Sequence, residues 1–257
     1  MKILITGNKG YIGTELTSYL TMLGNEIEGI DKKNGKFVEN RLSVHNCDAI
    51  VHLAGIAGVR DCEENRELAF LDNISSSIHI FNLAHKEKKP LVFASTQAAK
   101  KPESHFYAMT KYIAEQEALR LNKLGADIKI LRFTNVYGGD MSEKNSVIAL
   151  YRKAYKEGKK LVVNGDGTQV RDFIHIGDVC RAIYLAIDKR FEKPIDIGTG
   201  IPTRIIDLVK MFNCKFTKSK NYDKVGIKYN VANIKDAKKI LDFEYNINLK
   251  DWIVKGE

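Results

Sequence analysis

Tyr107 and Lys111 stand four positions apart in a stretch whose pattern predicts a helix over Tyr107–Leu124, so both side chains leave one helix face. A phenol titrates near about 10 and is a poor base at neutral pH. A neighbouring ammonium and a positively charged nicotinamide would stabilise the phenolate and lower that value, making Tyr107 a candidate proton acceptor. The lysine could also hold a ribose. Taken alone, the spacing suits an ordinary amphipathic helix as well. Thr96 follows the apolar run Leu91–Ser95, and its hydroxyl can donate to or accept from a substrate hydroxyl or carbonyl. A turn or helix cap is its structural alternative. At the C-terminal edge of a parallel sheet, where ligands gather, the chemical role is the better reading.

A second cluster lies at the N-terminus. Gly7-Asn8-Lys9-Gly10-Tyr11-Ile12-Gly13 falls between an apolar strand and a helix. Glycines there permit a tight turn and close backbone approach to a pyrophosphate, whose charge then faces the helix N-terminus. The spacing is GxxGxxG, and a glycine-rich turn alone is weak evidence. Position adds weight, and so does Asp31, which ends the second strand 18 residues after Gly13. A carboxylate there can accept hydrogen bonds from the adenosine ribose and repels a 2′-phosphate, favouring NAD over NADP. Lys32 and Lys33 pull the other way, since a cation could accommodate that phosphate. Asp31 could otherwise be a turn residue before Asn34-Gly35.

These groups need a scaffold, and the apolar pattern supplies one. Strands are expected at Lys2–Thr6, Glu26–Ile30, Ala49–Leu53, Leu91–Ser95 and Ile128–Phe133. Between them helices are expected at Tyr11–Leu23, about Glu64–Lys88, and Tyr107–Leu124, the last ended by Gly125 in a left-handed cap. Alternation of this kind indicates βαβ units and a parallel sheet covered on both faces. The expected fold is therefore α/β: a Rossmann-type doubly wound parallel sheet with a small C-terminal α/β substrate lobe. Residues 1–135 plus about 171–193 would form the dinucleotide-binding domain. About 136–170 plus 194–257 would form the smaller lobe. Beyond Asn135, helices are expected at Val147–Glu157, Asp178–Ile187, Ile205–Phe212 and Ile234–Leu241, strands at Leu161–Val163 and Ile195–Ile197, and a turn at Asn164–Gly167.

Composition narrows the function classes. Of 257 residues 44% are hydrophobic, enough for a sizeable core, and no apolar run is long enough to span a membrane. The N-terminal apolar run is too short for a secretory leader, so a cytoplasmic location is expected. Cys47, Cys62, Cys180 and Cys214 lack metal-ligand spacing, so neither a metal site nor a disulfide framework is expected. A net charge of +9 raises nucleic-acid binding. Yet the lysine clusters at Lys86–Lys89, Lys215–Lys224 and Lys235–Lys239 lack interleaved aromatics and a reader motif, and solvated loops and helix ends explain most of them. A positive field also suits an anionic small molecule such as a diphosphate.

With these groups placed, the sequence resembles the extended short-chain dehydrogenase/reductase family, in its nucleotide-sugar epimerase branch. The segments that carry the likeness run in order along nearly the whole chain: TGNKGYIGTEL, DAIVHLAGIAGVRDCEEN, LDNISSS, FASTQ, YAMTK, LRFTNVYGG, NGDGTQVRDFIHIGDV and DIGTG. The resemblance implies NAD as cofactor. It puts Gly7, Gly10, Tyr11, Ile12 and Gly13 around the pyrophosphate, and Asp31 on the adenosine ribose. It has Leu53, Ala54, Gly55, Asn73 and Ser95 line the cofactor, with Tyr107 and Lys111 near the nicotinamide and Thr96 as the hydroxyl partner of Tyr107. Asn135 would meet the substrate diphosphate or sugar, and Arg171 the nucleotide diphosphate, a task suited to its forked donors. An ion pair with Asp172 or Asp178 is the alternative for Arg171. A homodimer is also implied, pairing the helices around Glu64–Lys88 and Tyr107–Leu124 across its interface.

Departures from the family pattern fall on loops. Only 17 positions separate Asp31 from Asp48, so the segment that commonly contacts adenine is abbreviated. After Thr96 the chain reads Gln97-Ala98-Ala99-Lys100-Lys101-Pro102 and soon reaches Tyr107, which predicts a short loop and a more open site. The usual basic diphosphate contact has only Lys224 as a candidate. Dehydratases and decarboxylases of this branch carry acids just after the threonine; Gln97 and Ala98 cannot supply them, so elimination chemistry is disfavoured. The expected function is an NAD-dependent nucleotide-sugar epimerase, acting on a UDP-hexose at C4 through a 4-keto intermediate. An NADP-dependent 4-keto-sugar reductase would use the same Tyr-Lys-Thr set, and a non-catalytic dinucleotide sensor or scaffold could share the fold. A sensor has no need of all three residues.

Overall fold

The computed structural model describes residues 1–141, 146–219 and 227–255. The apolar runs near the N-terminus form β1 (Lys2–Thr6), β2 (Glu26–Ile30), β3 (Ala49–His52), β4 (Leu91–Thr96) and β5 (Ile128–Phe133). With β10 (Ile195–Ile197) they build one six-stranded sheet in the order β10-β5-β4-β3-β1-β2, and every neighbouring pair is parallel. The central strands β1, β3 and β4 are largely buried and mostly apolar, while the edge strand β2 is half-exposed and carries Glu26 and Glu28. The chain leaves β1 to pair with β2 on one side, then returns to pair β3 on the other. That reversal opens a crevice at the C-terminal ends of β1 and β3, the place where doubly wound sheets bind ligands.

Helices cover both faces. Leu16 and Leu20 of α1 (Tyr11–Met22) and Val179 and Ile183 of α7 (Ile176–Ile187) pack on one side of the sheet. Ile80, Phe81 and Ala84 of α4 (Ser76–Lys86) and Ala114, Ala118 and Leu121 of α5 (Phe106–Lys123) pack on the other. Gly125, just past α5, takes the left-handed φ of +93° expected of its cap. The single helix expected before β4 is instead α2 (Val59–Glu64), α3 (Arg66–Phe70), a π turn over Leu71–Ser75, and α4. π turns of this kind re-aim side chains within an otherwise regular helix, which periodicity alone does not reveal.

A third cluster forms the core of the smaller lobe: Tyr137, Ile148, Tyr151, Leu161, Val163, Phe173, Leu208 and Trp252 meet there. They come from β6 (Asn135–Tyr137), α6 (Val147–Lys156), β7 (Leu161–Asn164), β9 (Phe173–His175), α8 (Ile205–Met211) and α10 (Leu249–Lys255). The short ladders β8 (Val170–Arg171) with β11 (Thr203–Arg204) and β13 (Tyr229–Asn230), and β7 with β12 (Phe216–Ser219), complete the lobe. The expected division of the chain needs correction at 194. β10 is the edge of the main sheet, and Ala237 and Leu241 of α9 (Lys235–Leu241), with Phe243, pack into the main core. The buried apolar surface of α7 needs that cover, and sequence position does not show which element provides it.

One buried carboxylate ties the lobes' loops together. Asp172 accepts from the Thr199 amide (3.0 Å) and hydroxyl (2.6 Å), the Gly200 amide (2.9 Å) and the Ala232 amide (3.2 Å). Hydrogen bonds to a charged acceptor contribute about 1.5–3 kcal/mol each, and the donors are left buried if it is removed. Asp172→Ala is therefore expected to lower the unfolding free energy by about 3 kcal/mol or more in urea titrations. A loss below about 1 kcal/mol would show that these loops close without it.

Candidate active site

The glycine loop between β1 and α1 is pressed against its neighbours. Gly7 has φ +75°, and a Cβ on it would come within 2.7 Å of the Ala54 backbone nitrogen; one on Gly13 would lie 2.0 Å from the Gly7 carbonyl oxygen. Side chains are excluded at both positions. Gly10 caps α1 without a side-chain hydrogen bond, so the first-turn amides of α1 face no protein cap and the helix dipole is available to an anion. The cradle thus fits a dinucleotide pyrophosphate. Tyr11 does something further, because its phenol donates to the Gly138 carbonyl (2.7 Å), joining this loop to the smaller lobe. Asp31 stands against the loop: its carboxylate accepts from the Lys9 amide and the Lys33 amide, both at 2.9 Å. One face of the carboxylate is thereby fixed beside the place a ribose would occupy.

Leu53, Ala54 and Gly55 follow β3 and form the opposite wall. Asn73, from the π turn, is fully buried. Its carboxamide oxygen accepts from the Ile56 amide (2.8 Å), and its nitrogen donates to the Ile56 carbonyl (3.1 Å) and the Thr110 hydroxyl (3.0 Å). It holds this loop from beneath. Behind it runs a chain of buried polar groups. Thr6 Oγ1 meets His52 Nδ1 at 2.6 Å, His52 Nε2 meets Ser77 Oγ at 2.9 Å, and Ser77 donates to the Asn73 carbonyl (2.8 Å). Because Ser77 spends its proton on that carbonyl, His52 must carry its own on Nε2 and accept at Nδ1. Burial, with the Lys111 ammonium adding to it, pushes the imidazole down to about 3, so it stays neutral.

Tyr107 lies in the first turn of α5. Two side chains cap that turn: His105 Nδ1 accepts from the Ala108 amide (3.0 Å), and Glu63 of α2 accepts from the Phe106 amide (2.8 Å). The His105 ring stacks on the Tyr107 ring. The Tyr107 phenol is hydrogen-bonded to Thr96, at the end of β4, and Thr96 also caps the following turn by accepting from the Ala98 amide (3.3 Å). The capping role read for Thr96 is therefore present. The expected lowering of the Tyr107 pKa is not what the protein alone produces. Desolvation pushes the phenol up, Cys62 adds to the rise, and the Thr96 hydrogen bond offsets only part. Lys111 is 5% exposed, and its ammonium donates to the Ala94 carbonyl (3.0 Å) and sits over the Phe93 ring. Burial pushes it down to about 8, with Cys62 and Glu115 opposing.

Some groups here were not singled out from sequence. Cys62 is buried and acts on both Tyr107 and Lys111. Glu115, fully buried one turn after Lys111, takes both oxygens to Arg132 of β5 and accepts from Ser95. That bond ties the buried Ser95 hydroxyl to α5. The i+4 spacing of Lys111 and Glu115 was the available signal. Gln97, Ala98 and Ala99 are buried in a 3-10 turn, so the short loop after Thr96 tucks inward. Asn135 opens β6, two residues past Phe133, whose backbone pairs with Thr96. Arg171 donates to the Val170 carbonyl (2.9 Å) and the Gln169 side chain (3.3 Å). Asp172 is spent as described, and Asp178 accepts from the Asn246 and Ile247 amides. Lys224 lies outside the described residues.

A parallel doubly wound sheet with a glycine cradle at its switch point, and a Tyr-Lys-Thr set beside it, defines a dinucleotide-dependent enzyme fold. The family model described as NAD dependent epimerase/dehydratase matches residues 3–198. The chain belongs to that family, and its cofactor is NAD. A UDP-glucuronate 4-epimerase from Thermodesulfobacterium geofontis is 28% identical, the match covering 97% of this chain and 93% of the relative. A putative UDP-glucose 4-epimerase from Methanocaldococcus jannaschii is 27% identical over 98% and 95%. The first alignment runs over 301 positions against 257 residues here, so the relative carries segments this chain lacks. Among solved structures, UDP-glucuronic acid 4-epimerase from Bacillus cereus superposes with a TM-score of 0.88 at 23% identity, covering 98% of this chain and 96% of that one.

The buried lysine gives a pH signature. Its folded value of about 8 lies below its ordinary 10.5, so between these the unfolded chain holds more protons and stability rises with pH. Below pH 8 the full cost of burying the ammonium is present. Lys111→Met should therefore be stabilised relative to the unmodified, cofactor-free protein at pH 7, with an advantage on the order of 1–3 kcal/mol that shrinks toward pH 10. Thermal unfolding of both proteins across that range measures it; parallel curves would mean that Lys111 is not desolvated.

Proposed function

We propose that this protein is a UDP-sugar 4-epimerase that inverts a hexose or hexuronate through a transient 4-keto sugar. The observation that carries this reading is the Tyr107 phenol, hydrogen-bonded to Thr96 and one helical turn from Lys111, at the C-terminal edge of the sheet beside the glycine cradle. The 4-epimerase names of its relatives support it. So does the absence of an acid at Gln97 and Ala98, where elimination would need one.

Bound NAD supplies the acceptor, and then the donor, of the C4 hydride. The protein's part is proton traffic and orientation. Tyr107 removes the proton from the sugar 4-hydroxyl as the C4 hydride leaves, and returns it to the ketone oxygen when hydride comes back to the opposite face. Thr96 holds that oxygen in line. Desolvation keeps the phenol protonated in the cofactor-free protein. The positive charge of an oxidised nicotinamide, together with Lys111, offsets that desolvation and makes the phenolate accessible. Lys111 carries the ribose as well. The site residues are those read from sequence: Gly7, Gly10, Tyr11, Ile12, Gly13, Asp31, Leu53, Ala54, Gly55, Asn73 and Ser95 toward the cofactor, and Asn135 and Arg171 toward the sugar and diphosphate.

We also propose a homodimer. Leu68, Phe70 and Leu71, in and just after α3, and Met109, Tyr112 and Ile113 of α5 are exposed apolar side chains on adjoining elements. A patch of this kind marks an interaction surface. A cytoplasmic location fits the four free cysteines, three of them buried. Among the described residues no helix is long and apolar enough to cross a membrane.

Two measurements test these proposals. Proton NMR of UDP-glucose and UDP-glucuronate incubated with the protein should show the C4 epimer without net cofactor turnover. Tyr107→Phe should keep NAD yet lose about 10²- to 10⁴-fold in rate; retained turnover, or net NADPH consumption by the unmodified protein, would sink the mechanism. Phe70→Arg with Ile113→Glu should convert a dimer to a monomer by light scattering after size exclusion, and an unchanged mass would remove this interface.

A further inference from the structure

We infer that Lys32 and Asp72 form a latch across the adenosine end of the dinucleotide groove, and that their ion pair retains NAD where a longer loop is missing. The inference rests on NAD occupying the groove. The groove has two walls. One is the end of β2, where Asp31 is bonded to the glycine loop at Lys9. The other is the segment after β3, held from beneath by Asn73 at Ile56. Lys32 directly follows Asp31, and Asp72 directly precedes Asn73. The ammonium of Lys32 reaches the Asp72 carboxylate, and the Asp72 carbonyl lies beside Gly55, so the bridge joins the end of β2 to the segment after β3.

The local structure sets this reach. Asp31 caps a 3-10 turn over Lys32–Asn34 by accepting from the Lys33 amide, and Gly35 ends it in a left-handed conformation with φ +68°. The chain therefore turns back after three residues. Phe37 lies beside the bridge, its ring centroid 5.8 Å from the Lys32 ammonium. The two partners are unequally fixed: the Asp72 side chain is 15% exposed and the Lys32 side chain 44%. Asp72 is a seated acceptor, and Lys32 is the half that swings. An exposed lysine changes rotamer far faster than a dinucleotide dissociates, so the pair opens often, yet NAD leaves only during an open interval. The bridge also draws the Lys32 ammonium to a carboxylate and away from any 2′-phosphate, which accords with NAD as the cofactor.

Exchange of bound NAD for isotope-labelled NAD, followed by mass spectrometry of rapidly desalted holoprotein, reads the latch directly. A pair this exposed should slow release modestly, so Lys32→Gln and Asp72→Asn are each expected to speed exchange about three- to five-fold at low salt. The double variant should be no faster than either single one, and the charge swap Lys32→Asp with Asp72→Lys should restore slow exchange. Raising salt from about 0.02 to about 0.5 M should accelerate the unmodified protein toward the variants while leaving them nearly unchanged. Exchange at the unmodified rate in the single variants, or effects that add in the double one, overturns the latch alone. An unmodified protein that holds no NAD overturns the cofactor reading beneath it as well. Should a variant unfold early, the salt series on the unmodified protein decides: salt-independent exchange ends the proposal.

Discussion

The backbone leaving β1 approaches the backbone leaving β3 so closely that no side chain fits between them, and the rest of the molecule is arranged around that contact. Gly7 meets Ala54 there, and Gly13 closes over Gly7. The approach requires the loop after β3 to be rigid. Asn73 provides this from below, and the Thr6–His52–Ser77 chain anchors Asn73 in turn. A neutral imidazole suits that task, because its one donor and one acceptor are both used, with no charge to solvate. A protonated one would carry a charge into a site that burial and the Lys111 ammonium both oppose.

Burial then decides the electrostatics. Tyr107 and Lys111 are both pushed toward their neutral forms by the same desolvation, one upward and the other downward. The phenol is not poised to give up its proton by the protein alone. A cationic ring brought next to them reverses the balance for tyrosine, so the protonation state of the base becomes linked to the presence of the cofactor. The Glu115–Arg132 pair beneath α5 fixes where this happens. A fully buried carboxylate that engages a guanidinium with both oxygens tolerates little displacement. It holds the helix that carries Tyr107 against β4 and β5.

The abbreviated segments show how a short chain retains a large family's architecture. Between β2 and β3 the connection consists of two 3-10 turns and short links. After β4 the residues Gln97–Ala99 are drawn into the protein instead of arching over the sheet edge. In both places the main sheet is untouched, because loops at its rim carry few of the contacts that define the core.

How much was legible beforehand follows from the range of the interactions involved. The strands of the main sheet, the helix carrying Tyr107, the glycine loop and Asp31 were readable because apolar periodicity, glycine placement and i+4 spacing are local properties of the chain. The order of short motifs carried the family. What periodicity cannot carry is pairing between distant two- and three-residue segments. Hence β6, β8, β9, β11 and β13 were missed, as was the four-residue β12, and β10 was assigned to the wrong lobe. Nor can it give the environment of a titratable group. The direction of the Tyr107 shift, the turning of Ser95 to Glu115, and the engagement of Asn73 depend on which side chains lie nearby in space and how much water they exclude. The sequence by itself determined which groups could perform the chemistry and on which elements they ride. Only the tertiary structure decided their charge states and partners, because desolvation and hydrogen bonding are set by neighbours that the chain brings together from far apart.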